Sequence, residues 1–402
     1  MQLTGSGSSS LPLVADAPSL ADVVAVLDAL YEPDTAEAWD AVGLVTGDHD
    51  QPVRRVLFAV DPVDEVIAAA AAWGADLLVT HHPLLLRGVH STATDSPKGR
   101  SVTTLVRAGI ALHVAHTNAD VARPGVSDAL AAALGVENTR PLRPIAHDSL
   151  DKVVVFVPHD AVDAIVDAMA SAGAGRLGDY ERAAFASDGV GTFRPLPGAN
   201  PALGRVGHVE RVPETRLEMV APASKVAAVV AALRAAHPYE EPAFDVLPTR
   251  AVAGRRGLGR VGELAGPETL RAFGQRVAAA LPRTPSGVRV AGDLDAIVRT
   301  VAVCGGAGDD LFDDVRRAGA DVFVTADLRH HPASESLAHG SPALVDCAHW
   351  ATEWPWLREA EAGVTAGLAA RGTTVETRVS HLVTDPWSCH LDGTTPTTGE
   401  PR

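Results

Sequence analysis

At 402 residues the chain is long enough for two or three domains and a large buried core. Hydrophobic residues make up 46% and charged residues 21%, an ordinary globular composition that excludes a disordered or fibrous chain. The formal net charge of −16, with lysine only at Lys98, Lys152 and Lys225 and no basic stripe, argues against a nucleic-acid partner. Three scattered cysteines (Cys304, Cys347, Cys389) build neither a disulfide framework nor a thiolate zinc site. No apolar run approaches a membrane span, and the N-terminus carries no secretory pattern. These features predict a soluble, cytoplasmic protein with no membrane partner.

In chain order, residues 1–17 and 386–402 are rich in Gly, Ser, Thr and Pro and read as flexible tails. ADVVAVLDALY (21–31) has helical spacing, VRRVLFAVD (53–61) reads as a buried strand, and VDEVIAAAAAWG (63–74) as a helix capped by Gly74. DLLVTHHP (76–83) is the next strand. Segment Val53–Asp76 aligns without gaps on Val298–Asp321 at a constant offset of 245, and LLVT (77–80) continues onto VFVT (322–325). ALHVAHTNAD (111–120) then matches ALVDCAHWATE (343–353), so His116-x-x-x-Asp120 faces His349-x-x-x-Glu353. The chain therefore carries two related strand–helix–strand–helix–strand units. Between them, VVVFVPHDAVDAIVDAM (153–169) and LEMVAPASKVAAVVAAL (217–233) echo one another at offset 64, with further strands near 183–195 and 243–248. The predicted fold is α/β: a discontinuous, duplicated core (18–150 and 251–385) with an inserted ferredoxin-like α+β domain (151–250).

The chemistry-bearing residues fall where such a fold binds ligands, beyond the carboxyl ends of strands. His81 and His82 follow LLVT, Asp120 follows ALHVAH, and His349 follows ALVDCA. One isolated histidine is ordinarily a core or surface residue. Two adjacent histidines, a carboxylate and a His-x-x-x-Glu pair at equivalent strand ends point instead to a metal. His349 and Glu353 are four apart on a helical turn and share a face, whereas His81 and His82 diverge, which suits two cations better than one. Either Glu353 or Asp120 can bridge such a pair. A nitrogen and oxygen ligand set without thiolate fits zinc, manganese, iron or nickel.

WDAVGLVTGD (39–48), DLLVTHHPLLLRGV (76–89), HTNAD (116–120), GADVFVTADLRHH (319–331) and AHWATE (348–353) resemble, in order, the motifs of the Nif-three-like family. The insertion, with HPYEEPAFDV (237–246), resembles the PII-like insertion of its longer members. The resemblance implies a dinuclear metal protein of the kind labelled GTP cyclohydrolase 1 type 2 homologue, with His81, His82, Asp120, His349 and Glu353 as ligands. It also implies a toroidal homohexamer. The sequence departs from the family at Thr325-Ala326-Asp327, where Thr-Gly-Asp is usual, and at Arg329-His330-His331-Pro332.

Two function classes follow. One is a two-metal hydrolase acting on a nucleotide or related small molecule, with His116, Asp327 or His331 moving the proton. The other is a metal-loaded regulatory scaffold whose insertion senses a small-molecule effector. Secondary signals are the glycine-rich Cys304–Gly308, which fits a phosphate cradle or a tight turn, and Trp39-Asp40, which fits a cavity wall or an anchor.

Overall fold

The computed structural model describes residues 17–146, 150–178, 180–249, 253–340 and 342–391. The chain divides into two compact units, Met1–Pro144 with Arg255–Arg402, and Ile145–Gly254. Most of the two expected tails lies outside the described residues.

In the discontinuous unit the first half runs α1 (Leu20–Leu30), β1 (Gly43–Thr46), β2 (Arg55–Ala59), α2 (Asp64–Trp73), β3 (Leu77–Thr80), α3 (Pro97–Ala108), β4 (Ala111–Val114), α4 (Thr117–Val121), α5 (Val126–Ala133) and β5 (Val136–Ala146). The inserted unit contributes β6 (Leu150–Pro158), α6 (Val162–Ser171), β7 (Ala184–Phe193), β8 (Glu210–Pro222), α7 (Val226–Ala236) and β9 (Phe244–Pro248). The second half then runs β10 (Ala253–Thr269), α8 (Leu270–Ala280), β11 (Val288–Ala291), β12 (Ile297–Ala307), α9 (Phe312–Ala318), β13 (Val322–Ala326), α10 (His330–Ala338), β14 (Ala343–Cys347), α11 (His349–Glu353), α12 (Trp356–Ala370) and β15 (Glu376–Val379).

The repeat survives at atomic detail. β2 and β3 pair in parallel with Val56 opposite Leu77, and β12 and β13 do so with Val301 opposite Val322, the same register moved by 245. Gly74 and Gly319 both cap the intervening helix in the left-handed region, with φ of +73° and +71°. Asp76 accepts the backbone N–H groups of Arg54 and Arg55, and Asp321 accepts those of Arg299 and Thr300. An antiparallel edge strand closes each copy, β1 on β4 and β11 on β14. The sheets are ordered β1-β4-β3-β2-β15 and β11-β14-β13-β12-β10-β5.

Strands β3 and β13 are buried at every residue, as continuous apolar runs covered on both faces require. One core joins the halves, with Leu20, Val56, Val79 and Leu130 from the first and Phe273, Val301, Val324 and Trp356 from the second. That shared core brings the carboxyl ends of β3, β4 and β14 together.

The inserted unit is a β-α-β-β-α-β chain with strand order β7-β8-β6-β9, every pair antiparallel, which is the split arrangement of ferredoxin-like folds. Its core takes alternate residues of the strands (Val153, Val155, Val157, Leu217, Met219) and the echoed helix positions Ile165, Met169, Val229 and Leu233. β5 and β10, which flank this unit in sequence, are neighbours in one sheet. Replacing residues 145–254 with a short linker is therefore expected to leave a folded core that still binds divalent metal, measured by elemental analysis of the purified protein. An insoluble or metal-free product would refute that autonomy. Among the described residues no helix is long and apolar enough to cross a membrane.

Candidate metal centre

His81 and His82 leave the end of β3, and their rings lie 5.1 Å apart. One residue, Ala348, separates β14 from α11, whose first residue is His349 and whose last is Glu353, so the i and i+4 side chains rise from one face. His116 caps α4, which carries Asp120. These elements converge on Glu353, whose side chain is only 3% exposed. Its Oε1 lies 2.9 Å from His349 Nε2 and 3.4 Å from His81 Nε2, while its Oε2 lies 3.1 Å from His82 Nε2. Asp120 Oδ1 stands 3.7 Å from His81 Nε2. The five ligand positions expected from the sequence thus share one pocket.

Each ring is held by its other nitrogen. His81 Nδ1–H donates to the Ala115 carbonyl at 2.9 Å, His82 Nδ1–H to Asp61 at 2.7 Å, and His349 Nδ1–H to Asp327 at 2.7 Å. His116 Nδ1–H donates to Asp40 at 2.8 Å, and Asp40 also accepts the Thr117 N–H and hydroxyl. An acceptor on Nδ1 orients the ring and directs Nε2 to a common centre, the usual support of a metal-binding imidazole. Two groups of donors are close enough to hold a metal ion: His81, His82 and His116, and His82, His349 and Glu353. Glu353 Oε2 is sealed from solvent without a hydrogen bond of proper geometry, as a carboxylate oxygen aimed at a cation would be.

The electrostatics agree. Burial opposes a charge on His82, but Glu353 and Asp61 outweigh it and push the pKa up to about 10. Burial likewise opposes a charge on His349, yet Glu353 and Asp327 raise it to about 11. His81 is raised too, Glu353 and Asp120 prevailing over its complete burial. Glu353 is held well below the usual carboxylate range, because the three histidines overcome its desolvation. Desolvation pushes Asp120 up to about 6. His116 goes the other way: burial and the neighbouring His81 lower its pKa, so its imidazole stays neutral at pH 7.

Asp327 follows β13 with φ of +57°, a left-handed conformation that aspartate tolerates better than most residues, and it places a carboxylate under His349. His331 lies on the exposed first turn of α10 with its ring 5.1 Å from that of His330, and it enters neither group of converging donors. Sequence reasoning missed Asp61. At the repeat's offset it corresponds to Gly306, where a Cβ would stand 2.7 Å from Glu353 Oε1. One copy supplies an acceptor for a histidine; the other clears space for the carboxylate.

Cys304–Ala307 is the end of strand β12 rather than a tight turn; its pairing with β13 is irregular between Val303 and Ala307, where Gly306 takes φ of +69°. The Gly306 N–H donates to Thr352 and the Gly306 carbonyl accepts the Thr325 hydroxyl, so these groups are engaged within the protein. Trp356 is fully buried, with its ring 5.3 Å from His81 and its indole N–H on Tyr31. Trp39 is exposed and meets His116 edge-on. A cavity of about 770 Å³ opens on the cluster through Asp61, His82, Asp327 and His349, with Arg289 and Trp387 on its wall. Residues 386–391, expected to begin a tail, thus contribute Trp387 to this wall.

Residues 18–386 match the family described as Duf34/NIF3 (NGG1p interacting factor 3). A Mycobacterium tuberculosis relative named GTP cyclohydrolase 1 type 2 homolog is 50% identical over 370 residues, covering 92% of this chain and 96% of its own. A Streptomyces coelicolor relative of the same name is 42% identical over 93% of this chain and 95% of its own. Among solved structures, a Bacillus cereus protein related to NIF3 superposes with a TM-score of 0.74 at 36% identity, covering 93% of this chain and all of that one. Staphylococcus aureus protein SA1388 superposes with a TM-score of 0.79 at 28% identity, covering 92% and 99%. The chain belongs to the Duf34/NIF3 family.

Proposed function

We propose that His81, His82, Asp120, His349 and Glu353 hold two divalent cations (zinc, manganese, iron or nickel) and that the protein is a metal-dependent hydrolase of a nucleotide or related small molecule. The observation that carries this reading is the convergence of three Nε2 atoms on one buried carboxylate, with every Nδ1 already bound to an acceptor. Glu353 faces all three histidines, which is what a bridging ligand requires. Bound cations would supply Lewis acidity to polarise a carbonyl, C=N or phosphoryl oxygen and to activate water near neutral pH.

The chain's own groups do the rest. Asp61 and Asp327 fix the His82 and His349 rings, and the neighbouring cavity is of a size to take a nucleotide. Of the three candidate acid–base groups we favour His116, which is neutral at pH 7, pinned at Nδ1 by Asp40 and able to accept a proton at Nε2. Asp327 is engaged by His349, and His331 faces solvent. By the family likeness we propose a toroidal homohexamer, and with only three scattered cysteines we place it in the cytoplasm.

The test is turnover by metal-loaded protein on a panel of nucleotides, phosphoesters and cyclic amidines, with GTP first because the relatives carry that name. At least one class is expected to be hydrolysed, with activity removed by chelation and restored by a divalent cation. Absence of turnover across the panel, with tight metal binding retained, would favour the regulatory scaffold instead.

A further inference from the structure

The inserted unit contains a second cavity, of about 670 Å³, built from residues that take no part in the metal centre. Its position follows from strand alternation. Leu217 and Met219 of β8 point into the core shared with α6 and α7, so Glu214 and Arg216 lie on the opposite, helix-free face. Across the ladder Glu214 is opposite Gly189, and Gly191 is the next residue of β7 on that face. Neither carries a side chain, so the sheet is hollow beside the carboxylate. A Cβ at Gly191 would stand 1.8 Å from Glu214 Oε2, so glycine is what lets the acid lie flat against β7.

Glu214 is 7% exposed, and among the described residues no cation pairs with it. Of the cations near it, Lys152 and Arg216 are committed to Glu218, at 2.6 Å and 2.9 Å, and Arg194 also lines the cavity. A buried carboxylate without a counter-charge is costly, and a ligand that supplied one would relieve that cost. Beside it the Tyr239 hydroxyl is sealed from solvent and makes no hydrogen bond of proper geometry. Burial, and then the approach of this hydroxyl to the Glu214 carboxylate, raise its phenol above the ordinary tyrosine value, so it remains protonated. The Tyr239 and Phe193 rings have centroids 6.0 Å apart, and Phe156 lines the same space.

A buried acid with a sealed tyrosine hydroxyl beside it and aromatic faces in one cavity form a receptor for positive charge on an apolar body. Acids outnumber arginines in the lining, Asp188, Glu214, Glu240 and Glu241 against Arg194 and Arg216, which disfavours an anion. We propose that this cavity binds a small organic cation, an ammonium or amidinium group on an apolar frame. Its N–H donors would sit on Glu214 and Tyr239, and its frame against Phe156 and Phe193.

Calorimetric titration of the full-length protein with benzylammonium and benzamidinium, and with benzyl alcohol and benzoate as neutral and anionic counterparts, tests this. The cations are expected to saturate with dissociation constants of about 0.1–1 mM, as befits ligands of this size. Benzyl alcohol should bind more weakly, and benzoate should not bind. Glu214→Gln should weaken the cations about 10–100-fold, the range for a charge-assisted hydrogen bond, with metal content unchanged. Should that variant fail to fold, Tyr239→Phe, which deletes only the hydroxyl beside Glu214, should weaken them about 2–10-fold. Benzoate binding as tightly as the cations, no saturation by either cation at about 10 mM, or wild-type affinity in either folded variant would overturn the proposal.

Discussion

Glu353→Gln is expected to empty the metal centre, whereas Asp327→Asn should keep its cations at an affinity about 10–100-fold weaker. The contrast follows from what each carboxylate touches. Both Glu353 oxygens stand within 3.4 Å of a histidine Nε2, at the point where all three rings converge. Glutamine keeps the shape but removes the carboxylate charge at the centre of the three imidazoles, leaving Asp120 as the only anionic ligand, and its amide nitrogen would face the same Nε2 atoms as a non-ligand. Asp327 meets only the far nitrogen of His349 and is itself largely exposed, so its loss frees one ring to turn without removing a donor. Elemental analysis of both variants, purified without a histidine tag, gives metal per chain, and thermal melts establish that each is folded. Full occupancy in Glu353→Gln, with loss in Asp327→Asn, would reverse the order of inner and outer groups.

The ligand positions and the duplicated frame are legible in the sequence for the same reason. A strand that ends in a ligand is a local pattern, and a repeat at offset 245 states which strand ends are equivalent. His81, Asp120 and His349 could therefore be placed together before any coordinates. The supports are another matter. Asp61 bonds to His82 and Asp40 to His116 across 21 and 76 positions, and nothing in the local pattern separates these aspartates from solvated ones. The mismatch of Asp61 with Gly306 is the one trace the repeat carries of a role that differs between copies. His331 shows the converse limit. Its motif position is close to Asp327, but the left-handed turn at Asp327 and the start of α10 at His330 put it on an exposed helical turn. Buried Glu214 is also silent in sequence, because its burial depends on two glycines of a different strand.

Binding of divalent metal at pH 7 should release about two protons per chain, and the affinity should rise with pH. Glu353 with Asp61, and Glu353 with Asp327, raise His82 to about 10 and His349 to about 11 despite burial, so both rings are protonated at pH 7 before a cation enters. A cation takes the Nε2 lone pair, and the proton there must leave. Folding stability obeys the same linkage with the opposite sense. Without metal, the raised histidines stabilise the fold fully below the unfolded value of 6.5, and that contribution is lost as pH rises through about 10 to 11. With metal, the stabilisation is lost instead as pH falls and protons compete for the nitrogens. Thermal melts across pH with and without chelator should therefore diverge most on the alkaline side. Calorimetry of metal binding in buffers of differing ionisation enthalpy counts the protons directly. No proton release at pH 7, or equal metal affinity at about pH 6 and about pH 8, would show that these histidines do not bind metal through the nitrogens that face Glu353.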